Sequence, residues 1–316
     1  MALQSGYTRR ALPDPLGRIL ITGANGSLGR RLIARLAAQG TPVRAVVRSE
    51  RAAAALRDLP EKPETAVLEY ADAAALEAAA RGCEAAVHLV GIIKESATSS
   101  YAAAHEATTD ALLRAAAGSG LARIVYLSIP GAHPEARNAC LASKGRAEHA
   151  LLDSAISSVV LRVPMVLGPG DFAARALRGQ ARAKWVPLLR GGRGLEQPID
   201  AEDVISAAIV ALSSSALSNV ALDLAGPESL PRRALLQRCA ALYDNEPSVL
   251  PLPVGVLRAL AWVLEKALGN PPLTPAMLEI LAQDDAIDAS SASERLGIRL
   301  TPLDDTLRRC VGPEAP

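Results

Sequence analysis

Aromatic side chains are scarce in this chain. One Phe, two Trp and five Tyr make up 3% of its 316 residues. Alanine and leucine must do most of the packing, which favours helices, and the composition offers no platform for stacking sugars. An excess of charge of either sign is also missing, since 34 Lys and Arg nearly balance 33 Asp and Glu for a net +1. Nothing in that balance points to nucleic acid or to acidic partners. Cysteine is limited to Cys83, Cys140, Cys239 and Cys310, far apart and without a C-x-x-C pair. Such usage predicts reduced thiols in an intracellular protein, with neither a disulfide framework nor a metal site. Long hydrophobic runs are missing too. The N-terminus has no continuous apolar segment of the secretory type. The most apolar later stretch, 250–268, carries Arg258 and Glu265 and falls short of a bilayer span. No internal repeat is visible, and no low-complexity segment beyond the alanine bias.

What is present is organised around residues 18–48. Arg18-Ile19-Leu20-Ile21 is a short apolar run of strand type. Thr22-Gly23-Ala24-Asn25-Gly26-Ser27-Leu28-Gly29 follows, and then a segment with Leu28, Leu32, Ile33 and Leu36 at helical spacing. Gly40 ends that helix, and Val43–Val47 reads as a second strand. A strand, a glycine turn, a helix and a strand make a βαβ unit. In it Gly23 allows the tight turn, Gly26 the close approach of a diphosphate, and Gly29 the close helix–strand contact. The amides of Asn25, Gly26, Ser27 and Leu28 and the helix dipole then face the phosphates of a dinucleotide. The spacing is G-x-x-G-x-x-G rather than G-x-G-x-x-G, and a glycine pattern needs this structural context to carry weight.

The end of the second strand bears on the choice of dinucleotide. An acidic residue there would take the ribose 2′-hydroxyl of NAD, but the place is held by Arg48, with Arg44 on the same strand. A guanidinium suits a 2′-phosphate, so NADP(H) is favoured over NAD(H). Glu50 close by and a simply solvated Arg48 are the competing considerations.

Further strands are expected at Ala66–Glu69, Ala85–Val90, Arg123–Ser128 and Val159–Arg162. Asp72 follows the first of these, to accept from the adenine amino group or to cap helix 73–81. Val90-Gly91 closes the next, where Gly91 lets the ligand near the backbone. Residues 101–119 read as one long alanine-rich helix, in which His105 is more naturally a packing residue than a catalyst. Ser128 stands at a strand end, where ligands of open α/β sheets collect, or else caps a turn. Beyond Gly170 the alternation fails. Residues 171–316 read as a smaller, mostly helical lobe, with segments such as 196–225 returning to the first domain of residues 18–170. Residues 1–17 read as a flexible arm. In helix 254–268, Leu257, Leu260, Ala261 and Leu264 share one face opposite Arg258, Trp262 and Glu265; such a helix covers the small lobe or meets a membrane or partner. The fold class is α/β, a Rossmann-type doubly wound parallel sheet with a smaller mixed C-terminal lobe.

These residues together resemble the extended short-chain dehydrogenase/reductases, of the NAD(P)-dependent epimerase/dehydratase type. The carriers are Thr22–Gly29, Leu89-Val90-Gly91, Leu127-Ser128, Lys144, Arg162-Val163-Pro164 and Gly168-Pro169-Gly170-Asp171. Within that superfamily the chain looks most like the nucleotide-binding accessory subunit of respiratory complex I and its bacterial relatives. The marks are His88–Ile93, Ala104-His105-Glu106, Ser128–Ala132, Gly170-Asp171-Phe172 and Gln197–Val204. They span residues 18–215, and the C-terminal third matches only loosely. The resemblance implies a cofactor site that also takes in Lys144, Pro164 and Val166, a respiratory-chain or membrane-associated partner, and a place in the cytoplasm or peripherally at the inner membrane.

One departure governs the mechanism. Members that turn over substrate carry Tyr-x-x-x-Lys, with the two side chains one helical turn apart. The tyrosine exchanges a proton with the substrate oxygen, and the lysine lowers its pKa from about 10. Here Lys144 is present and Cys140 fills the tyrosine position. A thiol stops short of where a phenolic oxygen would lie, no tyrosine occurs between Tyr126 and Tyr243, and Ser128 alone is a poor proton donor. Three functions follow: a nucleotide-binding accessory, assembly or sensor component without standard turnover; an NADP-dependent oxidoreductase or nucleotide-sugar epimerase with an unusual donor such as Cys140, His133 or water; and a cofactor-free scaffold. Oligomerisation through helices near 98–120 and 143–155 stays open at this stage.

Overall fold

The computed structural model describes residues 16–268 and 273–315. The arm expected at 1–17 lies almost wholly outside the described residues. In chain order the elements are β1 (Ile19–Thr22), α1 (Ser27–Ala38), β2 (Val43–Val47), α2 (Glu50–Ala54), β3 (Glu64–Val67), α3 (Ala73–Ala80), β4 (Ala85–His88), a π-helical turn (Ala102–Ala107) running into α4 (Thr108–Ser119), β5 (Arg123–Ser128), α5 (Ala139–Leu152) and β6 (Ser157–Arg162). They continue as β7 (Val166–Leu167), α6 (Phe172–Arg182), β8 (Trp185–Leu189), a 3₁₀ turn at Arg190–Gly192, β9 (Leu195–Glu196), β10 (Ile199–Asp200), α7 (Ala201–Ser213), β11 (Val220–Asp223), β12 (Leu230–Pro231), α8 (Arg232–Ala241), β13 (Ser248–Leu252), α9 (Val254–Ala267), α10 (Pro275–Leu281), α11 (Ala289–Leu296) and α12 (Leu303–Val311).

Seven strands form one parallel sheet in the order β11-β6-β5-β4-β1-β2-β3. The pleat sends alternate side chains to opposite faces. Ile19 and Ile21 join α1 and α7 through Leu32, Ile33, Leu36, Val204 and Ile205. Leu20 joins Leu76, Leu112, Tyr126 and Leu151 on the other face. A third apolar cluster, around Leu177, Leu235, Cys239 and Leu307, holds α6, α8 and α12 together. All four cysteines are buried free thiols. Among the described residues no helix is long and apolar enough to cross a membrane.

Four expectations are corrected. The third strand is Glu64–Val67, two residues earlier than expected, because Arg44 pairs with Glu64 across the β2–β3 register. The fourth ends at His88, leaving Val90-Gly91 as loop. Helix 101–119 is not continuous α, since its first turns are π-helical around His105. In α9 only Ala261 is buried, and Leu260, expected on the inward face, is exposed. The strand at 220–223 pairs in parallel with β6 at the edge of the main sheet.

Candidate functional site

The site lies off the C-terminal ends of the parallel strands. At the β1–α1 turn Gly23 has φ +73°. A Cβ there would stand 3.0 Å from the Leu89 carbonyl carbon, so only glycine fits both the conformation and the space. A Cβ on Gly29 would come within 2.5 Å of the Ala24 carbonyl oxygen just past β1. Asn25 and Gly26 are exposed, and Gly26 caps α1 without a side chain. The first-turn amides of Ser27, Leu28 and Gly29 therefore lack intrahelical acceptors and open beside an exposed turn. The Ser27 hydroxyl is donated to Asp171, whose carboxylate also sits 3.7 Å from Arg31. Ser27 thus has its amide rather than its hydroxyl to offer an anion.

Next to the turn is a cavity of about 420 Å³ lined by Asn25, Arg48, Ser49, Arg51, Ala52 and Ala55. Two guanidiniums and no carboxylate line it. Tyr70 organises this corner: the Gly23 amide donates to its hydroxyl at 3.1 Å, the hydroxyl lies 3.3 Å from the Val46 carbonyl, and Arg48 sits 5.8 Å from its ring centre. Arg44 is elsewhere, bonded to Glu64 and to the carbonyls of Ala79 and Arg81. Asp72 caps α3 by accepting from the Ala75 amide.

The second half of the site is built from β4, β5, the π-helical turn and α5. Asn138 caps α5 by accepting from the Cys140 and Leu141 amides, while its amide nitrogen donates to the Ala276 carbonyl and Glu279 of α10. Gly145 lets the loop after β5 cross α5 closely, since a Cβ would overlap the His133 backbone. Ser143 and Arg146 bind Glu106, fixing α5 to the π-helical turn. These contacts bury Cys140 and Lys144.

The Lys144 ammonium donates to the Tyr126 hydroxyl at 3.3 Å and to the Leu127 carbonyl at 3.1 Å. Burial pulls its pKa down to about 8, against the opposing pull of Cys140 and Glu148. The Cys140 thiol points at the Ile92 carbonyl, 3.6 Å away. Burial pushes it up to about 11, with Lys144 working the other way. Ser128 is buried, and its hydroxyl has no hydrogen-bond partner among the described residues. Gly91 leaves room for the Lys144 amine, which would lie 3.2 Å from a Cβ there. Pro164 and Val166 are half-buried beyond β6, and Val166 pairs with Ile199.

Sequence reasoning passed over Tyr70, Arg51 and Tyr126, and set His105 aside as a packing residue. His105 is fully buried in the π-helical turn, with Nε2 3.1 Å from both the amide and the carbonyl of Ile92. Burial, then the Lys144 charge, lowers its pKa to about 3. His88 is equally dry, bonded to Thr22 and Thr108 and stacked on Tyr126, and is likewise lowered to about 3. Single π-helical turns inside α-helices concentrate at functional sites, but the sequence carries no signal for one here.

A parallel sheet with a glycine turn at its first strand–helix junction, an arginine-lined cavity beside it and a buried serine and lysine beyond defines a dinucleotide-binding protein of the Rossmann class. A family model described as NAD(P)H-binding matches residues 23–180, half of the chain. The chain belongs to that family, within the extended short-chain dehydrogenase/reductases. It is 28% identical over 252 residues to the ceramide reductase of Caulobacter vibrioides, covering 79% of this chain and 78% of that one. It is 25% identical to the mitochondrial NADH dehydrogenase [ubiquinone] 1 alpha subcomplex subunit 9 of Arabidopsis thaliana, covering 76% of this chain and 61% of the relative. The solved NADPH complex of an NADPH-dependent quinone oxidoreductase from Escherichia coli shares the fold with a TM-score of 0.69 at 21% identity, over 92% of this chain and 98% of that one.

Proposed function

We propose that this protein holds NADP(H), in preference to NAD(H), as a bound ligand of an accessory, assembly or redox-sensing component, without the tyrosine-dependent proton transfer of its family. The observation that carries the reading is Cys140. It occupies the proton-donor position one turn before Lys144, yet its thiol is buried, held against the Ile92 carbonyl and pushed to about 11. Lys144 already donates to Tyr126 and Leu127, leaving one N–H of its ammonium.

The residues fit the dinucleotide. The first-turn amides of α1 would take the diphosphate, Arg48 with Arg51 the 2′-phosphate, and Val90, Gly91, Lys144, Pro164 and Val166 the nicotinamide end. A bound nicotinamide supplies hydride transfer. The complex I subunits among the relatives favour a respiratory-chain partner, which co-purification would reveal.

Thermal-shift titration tests the reading. NADPH at 100-fold over its Kd adds about 2.7 kcal/mol of stability, and NADH adds less at equal concentration. No stabilisation by either leaves only a cofactor-free scaffold. Carbonyl-dependent NADPH oxidation that Lys144→Met abolishes would overturn the non-catalytic reading.

A second reading, an NADP-dependent reductase with an unusual donor, is favoured by the unpartnered Ser128 hydroxyl, a group suited to polarise a carbonyl. Cys140→Tyr separates the two. Turnover that appears only in the variant marks a site disabled by this one substitution, whereas turnover already present in the native protein establishes the alternative.

A further inference from the structure

Both tryptophans of this aromatic-poor chain are on the outside, Trp185 at 55% and Trp262 at 58% exposure. Trp185 opens β8, which pairs in parallel with β13 so that Trp185 lies beside Ser248, Pro187 beside Leu250 and Leu189 beside Leu252. Period-2 alternation puts these six on one face of the ribbon. Val186 and Leu188, on the other face, are buried. β13 leads through Pro253 into α9.

Helical spacing divides α9 into two apolar faces. Ala261, Leu257 and Leu264 turn inward. Val256, Leu260 and Val263, at i, i+4 and i+7, form an outward arc with exposures of 62, 49 and 52%. Lys266 borders that arc on one side, and the exposed Trp262 lies one turn before Lys266. A helix apolar on both faces belongs in an interior or at an interface, and an exposed apolar surface of this extent marks an interaction site.

The charge within these two segments selects the occupant. Segments 182–193 and 248–268 contain Arg182, Lys184, Arg190, Arg193, Arg258 and Lys266 against a single acid, Glu265. Arg258 is paired with Glu279. Lys184, Arg190, Arg193 and Lys266 carry no ion pair among the described residues. A two-fold contact with a second copy would set this cationic surface against itself. Tryptophan and aliphatic side chains rimmed by free cations are the composition of a surface that settles into an anionic lipid headgroup layer.

We propose that α9, with the outer face of the β8–β13 ribbon, seats the protein on anionic membrane. The inference gives peripheral membrane association a location and does not depend on the cofactor reading. The test uses the full chain with phosphatidylcholine vesicles, with and without phosphatidylglycerol, followed by co-sedimentation and tryptophan emission. The expected result is partition onto the anionic vesicles with a blue shift, weakened by salt. The triple variant Val256→Ser, Leu260→Ser, Val263→Ser lowers partition by about tenfold or more, with its melting temperature tracked as a check of folding. Should that variant not fold, Lys184→Glu with Arg190→Glu, Arg193→Glu and Lys266→Glu abolishes the preference for anionic vesicles. No partition onto either vesicle overturns the proposal, as does partition unchanged by the variants. Concentration-dependent self-association that the triple variant removes assigns the surface to a second copy instead and equally overturns it.

Discussion

Two corners of one site sit at the same end of the sheet, the β1–α1 turn and the start of α5, and they differ in what they keep. At the turn every position with a backbone role is filled by the residue that role demands. Gly23 and Gly29 leave space no Cβ could share, Tyr70 ties the turn to β2, and Arg48 and Arg51 line the neighbouring cavity. At α5 the framework is equally complete, with the Asn138 cap, the Glu106 clamp and the buried Lys144. Only the side chain that would move a proton differs. On the proposed reading the fold keeps its cofactor cradle and loses its chemistry through one position, because binding uses many main-chain groups and proton transfer uses one side chain.

The comparison breaks most sharply at Gly29. Gly29→Val forces a side chain against the Ala24 carbonyl, costing about 3 kcal/mol or more, and abolishes the NADPH-dependent thermal shift. A variant that still binds NADPH would show that the turn is not the cradle. Arg48→Glu comes next. Losing a charge-assisted contact worth about 1.5–3 kcal/mol weakens NADPH by about ten- to hundredfold, with NADH unchanged or improved, as read by titration calorimetry. Equal affinities before and after would remove the 2′-phosphate from that cavity.

A pH-dependent effect follows from the buried histidines. His88 and His105 titrate near 3 when folded and near 6.5 when unfolded. Between those values the unfolded chain binds more protons, so stability falls as pH drops from about 6.5 toward 3. The slope is about 1.4 kcal/mol per pH unit for each ring. Denaturant melts of His88→Gln and His105→Asn should show that slope reduced. Lys144 gives the gentlest signal. Its folded value near 8 lies below the 10.5 of a free lysine, so the unfolded chain again holds the extra proton. Stability rises with pH across about 8–10.5, and Lys144→Met flattens that limb. An unchanged limb would mean that the ammonium is not buried as described.

Much of this was legible in the residues. β2 and β5 emerge to the residue and β1 with its glycine turn within one, because each has its own period and its own punctuation, while α1 and α5 emerge only within a turn of their ends. Edge strand β3 slipped because its exposed, weakly patterned residues take their register from the Arg44–Glu64 pair, a contact between distant segments. The π-helical turn was hidden for a similar reason. His105 meets the Ile92 backbone, and the Thr108 hydroxyl bonds the Ala104 carbonyl; neither is written in helix propensity. Tyr70 and Tyr126 escaped notice because their roles come from reaching across strands. The replacement at Cys140, by contrast, was plain once the family resemblance supplied the Tyr-x-x-x-Lys pattern to set beside Lys144.

Motif residues 197–204 lead to a different consequence. Gln197 bonds the backbone of Ile287, Asp200 takes Thr306 and Arg309, and Asp203 takes both the amide and hydroxyl of Thr301. Those partners are synthesised roughly a hundred residues after the carboxylates they satisfy. While the chain emerges from the ribosome, the first half can assemble its strands, but β10 and the start of α7 wait with unmet acceptors. Completion is thus timed by translation of residues 287–309, and a nascent chain stalled before them would present an unfinished flank to chaperones and proteases.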